Sequence, residues 1–395
     1  MQIEEAPRSI PGGWAPFALG FRPFFILAGL AAVGLMTVWV YALDDFVVAQ
    51  TYFPGRTWHA HEMLFGYTVA VIAGFLLTAV KNWTDLPVPR GAALAGFALL
   101  WLLGRLAPFM AGLVPLWLVA LTDMAFLPVL AMAVAWPILQ RRQYSNIVFI
   151  LILLLMACAN GLMHLEALKP VGDTAWYGQS LMMFLILLLI VVMGGRVIPF
   201  FTERGVSGVK TRSWRVIEWL AGTSVVLLAL AELLLDDGLV VWLALLAFTV
   251  HYIRLVGWYD RRIWREPLVW VLQLGYAWLV AALGLAVLAH LGLIPLVWAW
   301  HAFTVGGIGG ITLGMMARVS LGHTGREMKL PQGMVSAFVL INLAAALRVI
   351  GPMLLPDDYP VWLIWAGVVW ILAFLVFIGF YATMLLRPRV DGRPG

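Results

Sequence analysis

Twelve long runs of apolar residues limit the fold of this chain more than any other feature. Each run is about twenty residues long, which is the length an α-helix needs to cross a bilayer. Lipid offers the backbone no hydrogen-bond partner, so segments that cross it must be helical. The predicted helices cover residues 20–43, 58–80, 91–110, 114–139, 146–167, 177–200, 215–235, 239–258, 267–291, 296–317, 333–354 and 360–386.

The composition also indicates a membrane protein. Apolar residues make up 63% of the chain and charged residues 11%, whereas soluble domains carry about 25% charged residues. The predicted fold class is therefore an all-α polytopic membrane protein, with residues 1–395 forming one integral domain in the lipid bilayer. The net charge of +5 is dispersed over loops, which argues against nucleic acid as a partner. The single cysteine, Cys158, excludes an internal disulfide and a thiolate-bound iron–sulfur cluster.

The distribution of charge predicts the orientation of the chain. With a cytoplasmic N-terminus, cytoplasmic tails and loops hold every Lys and Arg except Arg56, Arg105, Lys169 and Arg348. The acidic pairs fall on the outer side, at Asp44-Asp45, Asp236-Asp237 and Asp357-Asp358. This bias predicts that both termini are cytoplasmic. The N-terminus lacks a basic segment before an apolar one, so we expect no cleaved signal peptide.

Two short sequence patterns recur at a spacing of four helices. The pattern M-x-G-R-V-x4-T-x-R at residues 193–204 returns at residues 315–326 with Ala in place of Gly, and Trp58-His59-Ala60 returns as Trp300-His301-Ala302. The recurrence suggests three four-helix arcs. Short matches in a biased composition also arise by chance, which is the alternative explanation.

Histidines concentrate at the outer ends of the predicted helices. His59, His61, His164, His290 and His301 lie there. Imidazole is a common ligand of haem iron and of copper. His61 and His301 fall at nearly the same depth on different helices, as the two axial ligands of one haem must. The alternative is that these side chains reach water or hydrogen-bond a neighbour.

Two arginines lie inside the membrane on the same side. Arg105 and Arg348 are one to two turns from the outer ends of their helices, where an unpaired guanidinium is costly. Haem propionates would satisfy both. The alternative partners are Glu62 and Asp123, which are also the only candidates for proton-relay groups.

The pair His59-x-His61 has two interpretations. Residues two apart on a helix point to different faces, so one haem takes only one of them. The other histidine could bind copper together with His164, or it could ligate a second haem. The sequence leaves this assignment open.

A polar cluster is expected at the cytoplasmic ends of the helices. Its two histidines, His251 and His323, are weaker metal-ligand candidates. The cluster could bind an anion or a second metal, or it could serve only to set topology. Its other members are Arg196, Thr202, Arg204, Arg254, Arg318, Thr324 and Arg326.

Four stretches of the chain resemble the NnrS family. They are Phe21-Arg22-Pro23-Phe24-Phe25, residues 58–84 (WHAHEMLFGYTVAVIAGFLLTAVKNWT), residues 194–202 (GGRVIPFFT) and residues 301–326. Members are polytopic bacterial membrane proteins reported to contain haem and copper, and they are linked to nitric oxide and denitrification. The resemblance implies haem b and copper here, an inner-membrane location, and nitric oxide as a partner. The matching histidines are His59, His61, His164, His301 and His323.

One position departs from the pattern expected of this family. Gln273 stands where many relatives are expected to have histidine, so either one metal ligand is absent or the position is not a ligand. A more distant similarity is to the haem–copper oxidases, whose second and tenth helices hold a low-spin haem. The sixth and seventh predicted helices here contain no histidine, which argues against an oxidase-type binuclear centre.

Three functional hypotheses follow. The first is a redox-active haem protein that acts on nitric oxide, in its boldest form a nitric oxide reductase supplied by a quinol donor. The second is a transporter of haem, metal or a nitrosyl–iron species, because twelve helices with internal repeats are common in transporters. The third is a sensor that binds haem without turnover.

Overall fold

The architecture is helical throughout the described part of the chain. The computed structural model describes residues 13–43, 52–169, 172–235 and 237–393. Asp44, Asp45 and Asp236, which enter the charge argument, lie outside these ranges. The N-terminal segment through residue 12, to which the expectation about a signal peptide refers, also lies outside them.

Twelve helices are long and apolar enough to cross a membrane, as predicted. Their bounds, labelled α1 to α12 in chain order, are Phe21–Ala42, Gly55–Thr84, Ala92–Met110, Leu116–Gln140, Tyr144–Leu168, Thr174–Gly205, Arg215–Leu234, Gly238–Trp258, Pro267–His290, Leu296–His323, Met334–Leu354 and Pro356–Leu386. The protein is therefore a multi-pass membrane protein.

Three helices continue four or more residues past their predicted ends. α2 continues past Val80 to Thr84, α6 continues to Gly205 and α10 continues to His323. The apolar runs stop earlier, but a helix can continue through polar residues where they find partners. Lys81, for example, pairs with Asp85 at 2.6 Å, one turn further on. α2 also begins earlier, so His59 and His61 lie one to two turns inside the helix rather than at its first residues.

Two stretches of π-helix interrupt the α-helical geometry. In α2 the π stretch is Glu62–Thr68 and in α10 it is Ala302–Gly309. Each one begins immediately after a histidine, His61 in α2 and His301 in α10. π-Helical turns are rare and are often found at functional sites. The apolar runs and motifs of the sequence do not predict these π stretches.

Helices that are consecutive in the chain pack against one another, and α12 returns to pack against α1. α2 and α10 are the two most buried of the twelve spans. The backbone amide of Ala15 donates to the carbonyl of Leu386 at 2.8 Å, so the segment before α1 meets the C-terminal end of α12 at one end of the bundle. We call this the termini end. The opposite end, at which α2 and α10 begin, we call the histidine end.

Candidate functional site

A cavity of about 630 Å³ opens between α2 and α10 near the histidine end. This volume lies within the range of small-molecule and cofactor sites, about 300–1,000 Å³. α1, α6, α11 and α12 complete its wall. The wall is largely apolar and rich in aromatic side chains, among them Trp39, Trp176, Trp300 and Trp370.

His59 and His301 both line this cavity, from two different helices. Nδ1 of His301 lies 2.7 Å from the carbonyl oxygen of Val297, one turn earlier in α10. Nδ1 therefore carries the proton, and Nε2 keeps a free lone pair. The ring of His59 stacks on the indole of Trp39, with centroids 4.3 Å apart. The two imidazoles are thus oriented by contacts that leave a coordinating nitrogen available on His301.

Arg348 gives the cavity a buried positive charge. Its Nη2 donates to the hydroxyl of Tyr359 at 3.1 Å, whereas Nη1 is buried and has no hydrogen-bond partner among the described residues. A buried donor without a partner costs about 1–3 kcal/mol, and more for a charged group. Arg56, at the start of α2, also lines the cavity. The carboxylates of Glu166, near the end of α5, and of Asp173 line it as well. The free Nη1 of Arg348 therefore offers a partner for one anionic group on a large, mostly apolar ligand.

A second cluster is centred on Asp123 and lies among α2, α3, α4 and α5. Oδ2 of Asp123 lies 2.8 Å from Nε2 of His164 and 3.1 Å from Nε2 of His61. All three side chains are buried. The three donor atoms lie within 4.8 Å of one another, which is close enough for a single metal ion to bind all three. We call this set, with the groups bonded to it, the Asp123 cluster.

The other ring nitrogen of each histidine in the cluster also has a partner. Nδ1 of His61 contacts Oε1 of Glu62 at 3.0 Å, and Nδ1 of His164 contacts the hydroxyl of Tyr52 at 2.9 Å. Histidines that bind metals are usually held in this way, by a carboxylate or another polar group on the second nitrogen. Burial raises the pKa of Tyr52, so its hydroxyl stays protonated at neutral pH.

Arg105 belongs to the Asp123 cluster and not to the cavity wall. Its Nη1 donates to Oε1 of Glu62 at 2.8 Å, and its Nη2 donates to Oδ1 of Asp123. Arg105 thus has the alternative partners expected from the sequence, Glu62 and Asp123, in place of haem propionates. Two glycines permit the approach. A Cβ at Gly66 would lie 3.1 Å from Cδ of Arg105, and one at Gly104 would lie 2.8 Å from Oδ1 of Asp123.

The formal charges of the Asp123 cluster do not balance without a further cation. Glu62 and Asp123 are two carboxylates, and Arg105 is the one permanent cation among the described residues that contacts them. Nε2 of His61 faces Oδ2 of Asp123 and, at 3.0 Å, Oδ1 of Asn160, while its Nδ1 faces Glu62. Both ring nitrogens of His61 thus face hydrogen-bond acceptors. One positive charge at this point, as a proton or a monovalent metal ion, would neutralise the cluster.

The remaining predicted residues lie elsewhere. His251 and Gln273 are buried and packed among other side chains. Nδ1 of His251 contacts the hydroxyl of Tyr276 at 2.6 Å, and Nε2 of Gln273 donates to Oγ1 of Thr202 at 3.0 Å. His323 lies at the termini end, where its ring packs against Phe21.

Sequence reasoning missed two residues of the Asp123 cluster. Asn160 donates through Nδ2 to Oδ2 of Asp123 at 2.8 Å. It precedes His164 by four residues, so both side chains share one face of α5, and this spacing was a usable signal. Tyr52 lies in the segment before α2, 112 residues away from His164, and nothing in the sequence indicated their contact.

Comparison with known families agrees with the sequence motifs. The family model described as NnrS protein matches residues 15–389, nearly the whole chain. The chain belongs to the NnrS family. Membership of this family supports a nitric oxide-related membrane protein. No curated protein matches the chain.

Proposed function

We propose that the protein is a haem-containing redox protein of the bacterial inner membrane that acts on nitric oxide. The observation that carries this proposal is the cavity between α2 and α10, with a histidine on each side and a buried arginine at its wall. Membership of the NnrS family supports nitric oxide as the molecule concerned. Dispersed basic residues at the termini end support a cytoplasmic location for both termini.

The residues of the cavity fit haem b. His59 and His301 would hold the iron, and Arg348 would pair with a propionate through its free Nη1. The hydrogen bond from Nδ1 of His301 to Val297 fixes the tautomer that leaves Nε2 able to coordinate. The aromatic side chains of the wall would pack against the macrocycle. When bound, the haem would supply a one-electron redox centre.

The residues of the Asp123 cluster fit a single copper ion. His61, His164 and Asp123 would hold it, and imidazole nitrogen suits copper. Copper in its monovalent state would supply the one positive charge that Arg105 leaves uncompensated. Glu62 and Tyr52 would hold the two imidazoles in position. Asp123 and Glu62 remain the candidates for moving protons, because both carboxylates are buried.

The test begins with the composition of the purified protein. Full-length protein expressed with haem and copper supplied should contain both, and its reduced-minus-oxidised spectrum should show the bands of a haem b with two histidine ligands. Protein that folds but carries neither haem nor copper would contradict the proposal and favour a transporter.

Nitric oxide consumption then separates an enzyme from a sensor. Under anaerobic conditions with a reduced quinol, the protein should consume nitric oxide faster than an equal amount of free haem. The matched control is His301→Ala prepared in the same way. If the rate is no higher than that of free haem, the protein binds haem without turnover, and it is not a nitric oxide reductase.

A further inference from the structure

Two sequence motifs that contribute to neither the cavity nor the Asp123 cluster meet at the termini end. They are Phe21-Arg22-Pro23-Phe24-Phe25, at the start of α1, and His323-Thr324-Gly325-Arg326, at the end of α10. The rings of Phe21 and His323 are in contact, with centroids 5.5 Å apart. The C-terminal tail joins them, because the amide of Val390 donates to the carbonyl of Thr324 at 3.1 Å.

Arg22 is completely buried at this point, with 0% of its surface exposed. Its Nη1 donates to the carbonyl oxygens of Leu385, at 3.1 Å, and of Arg387, and so caps the C-terminal end of α12. Nε and Nη2 are buried and have no hydrogen-bond partner among the described residues. The carbonyls of one helix end offset only part of a full positive charge. Arg22 is therefore an incompletely satisfied buried cation.

The surroundings of Arg22 add positive charge. Arg326 and Arg389 both act on it electrostatically, and Arg387 acts in the same way on Arg326. Nη1 of Arg326 is also buried without a partner among the described residues. Within those residues, the only carboxylate that pairs with any of these four arginines is Asp391, which Arg389 already contacts through Nε at 2.9 Å and Nη2 at 2.5 Å.

We propose that Arg22 and Arg326 form a binding site for a phosphate-class oxyanion, separate from the haem and copper sites. Guanidinium groups bind phosphate oxygens through several charge-assisted hydrogen bonds, and both arginines have donors to spare. Arg22 is the second residue of α1, and Arg326 lies three residues beyond the end of α10. These positions are at the level of lipid headgroups. The phosphate can therefore come from an anionic phospholipid or from free phosphate in solution.

Native mass spectrometry of the full-length protein in detergent tests the proposal and separates the two sources. Phosphatidylglycerol is titrated in one arm and inorganic phosphate in the other, with phosphatidylcholine as the zwitterionic comparison. We expect saturable binding of one equivalent of phosphatidylglycerol or of phosphate, tighter than binding of phosphatidylcholine. Saturation by phosphatidylglycerol that inorganic phosphate does not displace identifies the lipid as the source. Saturation by phosphate alone identifies the free ion.

Variants assign the binding to this site. Arg326→Gln removes a guanidinium whose Nη1 has no hydrogen-bond partner among the described residues, so the fold should survive. Affinity should fall by about tenfold or more, the effect of losing a charged hydrogen bond. Arg22→Gln should weaken binding further, but it also removes the cap of α12. The matched control is Arg265→Gln, an exposed arginine at the same end, which should leave affinity unchanged. Equal losses in Arg326→Gln and Arg265→Gln, or no binding of either probe, would overturn the proposal.

Discussion

His59 and His61 are two residues apart on one helix, yet they belong to two different kinds of site. His59 faces a cavity of about 630 Å³ with apolar walls. His61 lies in a closed cluster in which each ring nitrogen has a polar partner. Residues two apart are turned by about 200° around a helix axis, so α2 presents one histidine to each side. The open site suits a large ligand and the closed site suits a single ion.

The largest expected effect separates these two histidines. His59→Ala and His301→Ala should each lower the haem content of the purified protein by more than about tenfold, because even outer-shell partners of a metal ligand contribute about 10–100-fold. His61→Ala should keep its haem. The measurement is haem per polypeptide, together with the Soret absorbance.

The control for this experiment is His290→Ala, which changes another histidine at the same end of the bundle. His290 pairs with Glu232 at 3.0 Å and is not part of the cavity wall, so haem content should not change. Loss of haem in His61→Ala with retention in His59→Ala would reverse the assignment of the two sites.

Stability should distinguish the two buried arginines. Arg105→Met leaves Glu62 and Asp123 buried without their cation, and breaking a buried ion pair in this way costs about 3–5 kcal/mol. Arg348→Met removes a guanidinium that makes one hydrogen bond within the described residues, to Tyr359, and should cost about 1 kcal/mol. Thermal unfolding of the protein without haem or metal compares them.

A double variant checks the cause of the larger effect. Asp123→Asn added to Arg105→Met removes one of the two uncompensated charges and should recover part of the lost stability. Equal melting temperatures for Arg105→Met and Arg348→Met would mean that the charge in the Asp123 cluster is balanced in some other way.

The last comparison concerns two tyrosines, one at each site. Tyr52→Phe removes the hydroxyl that holds His164 and should weaken copper retention by about 10–100-fold while haem content stays the same. Tyr359→Phe removes a hydroxyl beside Arg348 and should leave copper retention unchanged. Copper per polypeptide after dialysis against a graded chelator is the measurement. If both variants lose copper equally, Tyr52 has no specific role in holding the metal.

The sequence predicted the fold in detail and the sites only in part. Twelve spans follow directly from the apolar runs, because a single segment that crosses lipid must satisfy its backbone hydrogen bonds internally, as an α-helix does. The histidines at one end were also visible. His59 and His61 were also expected to point to different faces of one helix. The sequence did not show which of them faces the cavity, nor that Tyr52, from a distant segment, contacts His164. In the sequence, Arg105 and Arg348 both lie one to two turns inside the outer ends of their helices. The structure shows that Asp123 contacts Arg105, whereas Arg348 lines the cavity.

The π stretches in α2 and α10 also determine which genetic changes the protein can tolerate. A π turn holds one residue more than an α turn, so deleting a single residue from Glu62–Thr68 would let α2 become regular α-helix. The directions of His59 and His61 would then change little, because a stretch one residue shorter in α-helical geometry turns through nearly the same angle as the longer π stretch. A one-residue deletion in the α-helical part of α2, Val69–Thr84, has no such compensation. It would rotate both histidines by about 100° relative to the residues that follow the deletion.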